Sequence, residues 1–265
     1  MMKIILSILT LFAVNMIAAQ TDKTWNNKSC AVVLTYDDGL NIDIKNVLPA
    51  LDSVQLKGTF YISDYFNGLN AQLPSWKKAA ANGHELGNHT IWHPCNSQLP
   101  GRSFVQPDYD LATYTVKRMV NEILAMNNLL KAIDGQTTRT FAYPCGDTKI
   151  HDTEYLASLH QTFIAARGVT PMMQTIDQID LYNIGCYGMN GQSGKEMIDL
   201  VKQAQRTHTL LVFLFHGVGG EHSLNVSVNA HHELLQYLKQ NESTIWIAPL
   251  KTVATYIKAH QNKTK

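Results

Sequence analysis

Short apolar runs rich in β-branched and aromatic residues alternate along this chain with stretches of helical period, and that alternation restricts the fold more than any other feature. Each run has the length of a strand, and the stretches between them are long enough to carry the chain across one face of a parallel sheet. Strands are predicted at 31–36, 58–62, 85–88, 140–143, 162–166, 181–185, 210–215 and 245–248. Helices are predicted over 110–133, 195–206 and 231–240. In the first of these Val116, Val120, Ile123, Leu130 and Ile133 form one apolar face before Gly135 stops it. The fold class is therefore α/β. Seven or eight successive β-α units predict a (β/α) barrel, distortion allowed, in preference to an open sheet. The 265 residues suit one such domain, assigned to 20–265, and no linker or internal repeat competes with it.

Residues 1–19 are expected to be a signal peptide: Lys3, an apolar run from Ile4 to Ala18, then Ala19 before the polar Thr21-Asp22-Lys23. The run is shorter than the ~20 residues of a spanning helix. A secreted or periplasmic location is expected, with no stable membrane insertion after cleavage. The 22 basic residues balance 21 acidic ones, which leaves no electrostatic footprint for nucleic acid or an anionic membrane and points to a neutral partner. Cys30, Cys95, Cys145 and Cys186 allow three disulfide pairings in an oxidising compartment, and the sequence does not choose among them. No two share the C-x-x-C spacing of a thiolate zinc site.

Polar clusters fall at the ends of predicted strands, where the βα loops of a barrel gather its chemistry. Thr35-Tyr36-Asp37-Asp38-Gly39 closes the first strand. Asp-Asp-Gly alone is an ordinary turn, yet two adjacent carboxylates can divide labour, one holding a cation and the other acting as a base. Asn88-His89-Thr90-Ile91-Trp92-His93-Pro94 follows the third strand, and its His-x-x-x-His spacing puts both imidazoles on one face if the loop makes a helical turn. With a carboxylate the pair makes a two-His, one-carboxylate set with open positions for water and substrate. His216 follows the apolar strand at 210–215, and an imidazole there suits proton transfer near neutrality.

The ordered set Thr35-Tyr36-Asp37-Asp38-Gly39, His89-Thr90-x-x-His93-Pro94, a Pro-x-Gly loop at Pro144-Cys145-Gly146 and Leu214-x-His216 resembles the polysaccharide deacetylases with the NodB homology domain, carbohydrate esterase family 4. The resemblance covers about residues 30–257. It implies that Asp37 is the catalytic base, Asp38, His89 and His93 hold one divalent metal, and His216 is the general acid. A backbone N–H in the loop of Tyr143, Pro144 and Cys145 would hold the oxyanion. One position departs from the family pattern: Ala142 stands where the family carries an arginine that pairs with the base. Arg167, ending the strand at 162–166, is expected to reach Asp37 from a neighbouring strand, with Arg139 the weaker choice. The acidic residue that orients the family's catalytic histidine is not evident, Asp177 and Asp180 being the nearest candidates. Cys95 and Cys145 should both lie near the barrel mouth, so their pairing joins those left open. The loop 217–227, with Glu221 and His222, reads either as a substrate rim or as a solvated loop.

The function expected is a metal-dependent hydrolase that removes acetyl groups from an acetylated oligo- or polysaccharide, either an N-acetylglucosamine polymer or an O-acetylated polymer such as xylan. Cleavage of another amide on the same scaffold, and an inactive carbohydrate-binding homologue, are the alternatives. Zinc suits a His-rich open site, and cobalt and nickel suit the same ligands. Tyr36, Trp92, Tyr143 and Tyr187 are available to stack on sugar faces.

Overall fold

The computed structural model describes residues 24–66 and 68–263; the expected leader lies outside them. Its centre is strand β1 (Cys30–Asp38), in which all nine residues are buried. A strand buried on both faces needs a near-continuous apolar run, which Cys30 to Leu34 supplies. The other strands are β2 (Thr59–Ile62), β3 (Glu85–Asn88), β4 (Arg139–Ala142), β5 (Phe163–Arg167), β6 (Tyr187–Gly188), β7 (Leu210–Phe215) and β8 (Ile245–Ile247). They pair in parallel in the spatial order β5-β4-β3-β2-β1-β7-β6. Strand β8 pairs with the first residues of β1, Cys30 to Val32, while β2 pairs with its last four, Thr35 to Asp38. The two thus share one edge of β1 at different heights.

Helices α1 (Leu48–Ser53), α2 (Leu73–Ala81), α3 (Val116–Asp134), α4 (Gly194–Thr207), α5 (Val228–Gln240) and α6 (Leu250–Lys263) surround the strands. Side chains of one parity in β1, among them Val32, Leu34 and Tyr36, pack outward in a cluster with Val201, Leu234 and Leu235 of α4 and α5. Those of the other parity, Ala31 and Val33, pack with Tyr61, Ala142, Ala165 and Val212, and Leu250, Val253, Ala254 and Ile257 of α6 join that cluster. Each fully buried Leu or Val contributes about 1.5–3 kcal/mol.

The (β/α) barrel expected from the sequence is the fold, in distorted form. No continuous ladder joins β5 to β6. One bridge, Arg167 to Ile184, spans that gap, so the predicted strand at 181–185 is not one. Cys186 donates its N–H to Thr170 O, a loop carbonyl, and regular pairing resumes only at Tyr187. The helix predicted from residue 110 starts at Val116, because Asp110 turns its carboxylate onto Ala112 N and Ser97, and Thr115 is the true N-cap, accepting from Arg118 N. Among the described residues no helix is long and apolar enough to cross a membrane.

Candidate active site

Successive side chains of a regular strand point to opposite faces, so Asp37 and Asp38 should diverge. Asp37 follows the inward parity of Ala31 and Val33. Asp38 breaks the alternation: its φ of 77° is left-handed, a conformation that Asp tolerates better than most residues. Both carboxylates consequently face the same end of the barrel. Gly39 follows with φ 65°, and a Cβ on Gly68 would lie 1.7 Å from Gly39 O, so the two backbones touch behind the site.

His89 and His93 come from the loop after β3. The loop is not the helical turn that the spacing suggested: Thr90 (φ 63°) and His93 (φ 50°) are left-handed, and the rings meet edge to face with centroids 4.7 Å apart. Side chains from the strand end and from α3 brace it. Asn88 accepts from Thr90 N at 2.8 Å and donates to Ile123 O and Asn127 Oδ1, while Glu122 accepts from Trp92 N at 2.9 Å. Buried His89 donates Nδ1–H to Ala142 O at 2.8 Å, which leaves the Nε2 lone pair directed at the carboxylates.

Asp38 Oδ1 lies 3.7 Å from His89 Nε2 and 3.6 Å from His93 Nε2, and it is buried without a hydrogen-bond partner. Two ligands of one tetrahedral zinc, each ~2.0–2.1 Å from it, sit roughly 3.4 Å apart. An orphaned carboxylate oxygen, two imidazole nitrogens and this spacing fit a divalent cation. Burial, and then the neighbouring charge of Asp37, push the Asp38 carboxyl well above its ordinary range, so the position calls for a positive charge.

Asp37 has its cation within the chain. Arg167 Nη2 donates to Asp37 Oδ2, both side chains being buried, and Nη1 donates to Gly168 O at 2.9 Å. Burial works against ionisation of Asp37, but Arg167, with smaller contributions from His89 and His216, outweighs it and holds the carboxyl below its usual value. Arg167 is the register partner of Ala142 on the adjacent strand, so the guanidinium arrives one strand over from the departing position. Arg139 instead pairs with Asp134 and Leu86 O at the opposite end of the strand.

His216 is largely buried, and burial lowers it to about 4 against the pull of Asp37. Asp177 faces His260 and Asp180 caps Tyr182 N, so neither orients His216. The ring stacked on it is that of His222, with centroids 4.6 Å apart and planes 13° from parallel. In the third loop Tyr143 N–H goes to Arg167 O, Pro144 has none, and Gly146 N–H goes to Tyr143 O, which leaves Cys145 N–H as the loop's donor. Cys145 is left-handed (φ 55°) and disulfide-bonded to Cys95, with a Cα–Cα distance of 5.8 Å. Cys30 and Cys186 are buried thiols.

Asp37, Asp38, His89, His93, Tyr143, Cys145 and His216 all line one cavity of about 720 Å³. Its aromatic wall differs from the sequence expectation. Tyr36 is in the core, stacked between Phe60 and Phe215 with its hydroxyl on His231, and Tyr187 packs against the core. Trp92 is exposed and stacks on Tyr109 outside the lining. Tyr143 does line the cavity, together with Tyr65, Phe66, Phe104 and Tyr109 from loops that carried no sequence signal.

A sequence model of the polysaccharide deacetylases matches residues 25–164. The chain belongs to the polysaccharide deacetylase family. Over 120 residues, 45% of this chain and 39% of the relative, it is 28% identical to the peptidoglycan-N-acetylmuramic acid deacetylase PdaA of Bacillus subtilis. The chain spans less than half the length of the first curated relatives it matches. Solved structures that share the fold include two that cover most of both chains. One is a Mycobacterium smegmatis protein described as a candidate polysaccharide deacetylase (TM-score 0.63, 14% identity, 88% of this chain and 92% of that one). The other is the Bc1960 peptidoglycan N-acetylglucosamine deacetylase (TM-score 0.57, 19% identity, 86% and 88%).

Proposed function

We propose that this polysaccharide deacetylase is an exported, metal-dependent hydrolase that removes acetyl groups from an acetylated oligo- or polysaccharide. The observation that carries the reading is the convergence, in one open cavity, of an orphaned Asp38–His89–His93 ligand set with the Arg167-paired Asp37. Asp38, His89 and His93 would hold the cation, zinc before cobalt or nickel, and when bound it would supply Lewis acidity to the acetyl carbonyl and to water. Asp37, kept ionised by Arg167, takes the proton of the attacking water. Cys145 N–H donates to the carbonyl oxygen as it becomes anionic. His216 protonates the departing sugar nitrogen or oxygen; the negative charge gathering beside it favours the imidazolium that this step needs. Acetate leaves. The Cys95–Cys145 disulfide supports an oxidising, exported setting. Two of the compared proteins are named as peptidoglycan deacetylases, which puts an N-acetyl amide ahead of an O-acetyl ester as the bond cleaved.

The test is acetate release by the protein after chelation and metal add-back, on N-acetylglucosamine oligomers, peptidoglycan and acetylated xylan. Asp37→Asn is expected to lose at least ~100-fold in kcat while still binding metal. No metal-dependent release from any substrate would overturn the reading.

A further inference from the structure

His222 sits where a fourth metal ligand could be imagined. It shares a cluster with Asp38 and His216, its Nε2 is 3.9 Å from Asp38 Oδ2, and it lines the cavity. Its backbone decides otherwise. Leu224 N–H donates to His222 Nδ1 at 3.0 Å, and a backbone amide can only donate, so Nδ1 carries the lone pair and Nε2 the proton in the neutral ring. The arrangement is the reverse of that in His89, whose Nδ1–H is spent on Ala142 O and whose Nε2 is free to ligate. Asp38 thus turns Oδ1 to the lone pair of His89 and to the ring of His93, and Oδ2 to an N–H.

The loop holds this tautomer in place. Glu221 accepts from Asn41 Nδ2 at 2.9 Å and from Ile42 N, and Asn225 Oδ1 accepts from Gly220 N at 3.0 Å. Among the described residues none hydrogen-bonds to the His216 ring, and its ring contact is the stacked face of His222. At 3.9 Å from Asp38 Oδ2, His222 Nε2 is beyond hydrogen-bond range of that oxygen, and it borders the space that a sugar must enter.

Resting on the function proposed above, we propose that His222 is a substrate-binding hydrogen-bond donor and not a metal ligand: its Nε2–H binds the oxygen on the sugar carbon next to the acetylated one. A donor so close to the reacting carboxylates can reach only atoms that neighbour the acetyl group, and on a sugar those are the adjacent oxygen substituents. The substrate class is therefore a sugar with an oxygen acceptor beside its acetyl group, and a deoxygenated neighbour is discriminated against.

Two measurements test this. Long-range 1H–15N correlation spectra of the protein with and without zinc are expected to show His222 protonated at Nε2 in both states, with zinc moving His89. Zinc bound at His222 Nε2 would overturn the proposal whatever the catalytic activity. Second, His222→Phe keeps a ring against His216 but removes the donor. It is expected to keep one zinc per chain and to lose about tenfold in kcat/KM on the responsive substrate. On the analogue deoxygenated next to the acetyl group it should match the wild type. An equal loss on both substrates, no loss on either, or loss of zinc would each refute the donor role. Inactivity of the wild type on every substrate would sink the deacetylase reading, and the spectra would still decide between donor and ligand.

Discussion

Replacing Arg167 by Met keeps most of the side-chain volume but leaves Asp37 as a buried carboxylate without its cation. Both partners are almost fully buried, and Asp37 Oδ1 already lacks a hydrogen-bond partner. In the chelated protein the remaining partners are His89, whose Nε2 lies 3.7 Å from Asp37 Oδ2, and His216, and burial disfavours the charged form of both imidazoles. Removing one member of a buried pair costs about 3–5 kcal/mol, and for a domain of this size that corresponds to a fall in Tm of roughly 6–20 °C. Burying a neutral pair carries no such penalty, so Asp37→Asn/Arg167→Met is expected to be more stable than Arg167→Met alone. The assay is urea unfolding followed by far-UV circular dichroism on chelated protein, so that metal binding does not enter the comparison. Turnover by Arg167→Met with zinc restored is expected to fall at least ~100-fold while zinc binding persists. If Arg167→Met lies within about 1 kcal/mol of the wild type, or the double variant is no more stable than it, the pair does not hold the site as argued.

Removing the Cys95–Cys145 disulfide opens a loop with a sequence separation of 50 residues and should cost roughly 4 kcal/mol on a chain-entropy basis; a Cys95→Ala/Cys145→Ala variant with an unchanged urea midpoint would contradict this. Asp38→Asn is expected to lose zinc in equilibrium dialysis while keeping its circular dichroism spectrum, and full occupancy would remove Asp38 from the ligand set. Asp52 provides a pH test away from the cavity: burial works against its charge, but hydrogen bonds from Lys57, His84 and Asn82 hold its carboxyl down at about 2. A depressed carboxylate stabilises fully above its unfolded pKa of ~3.9 and loses that contribution as pH falls through the folded value. The stability difference between wild type and Asp52→Asn should therefore shrink from pH ~4 to ~2, and a constant difference would dismiss the linkage.

Strands buried on both faces were the most legible elements, because there the apolar run and the strand coincide. Strands β3 and β7 begin and end where the sequence places them. The run at 181–185 is shorter on apolar residues, with Asn183 and Gly185 in it, and crosses a gap in the barrel, where neighbours far along the chain decide whether such a run becomes a strand. Helix α6 is hard to read because it starts directly after Pro249, two residues beyond β8, and only Leu250, Val253, Ala254 and Ile257 mark its buried face. At the site, residues at strand ends could be placed from order alone, including Arg167 once Ala142 was seen to lack a charge. Tyr65, Phe104 and Tyr109 could not, since loops have no period and these reach the cavity only through the path of the chain. The tautomer of His222 likewise depends on one backbone amide two residues on, which no side-chain pattern reports.

The register that sets Ala142 beside Arg167 has a consequence for how sequences of this kind vary. There is a single berth next to Asp37, and either of two adjacent strands can fill it. A guanidinium on both would bury two like charges against one carboxylate, and on neither would leave that carboxylate unopposed. The two positions are therefore expected to trade their occupant, not to add to it. A chain lacking the loop arginine should be judged by what its next strand carries before it is counted as disabled.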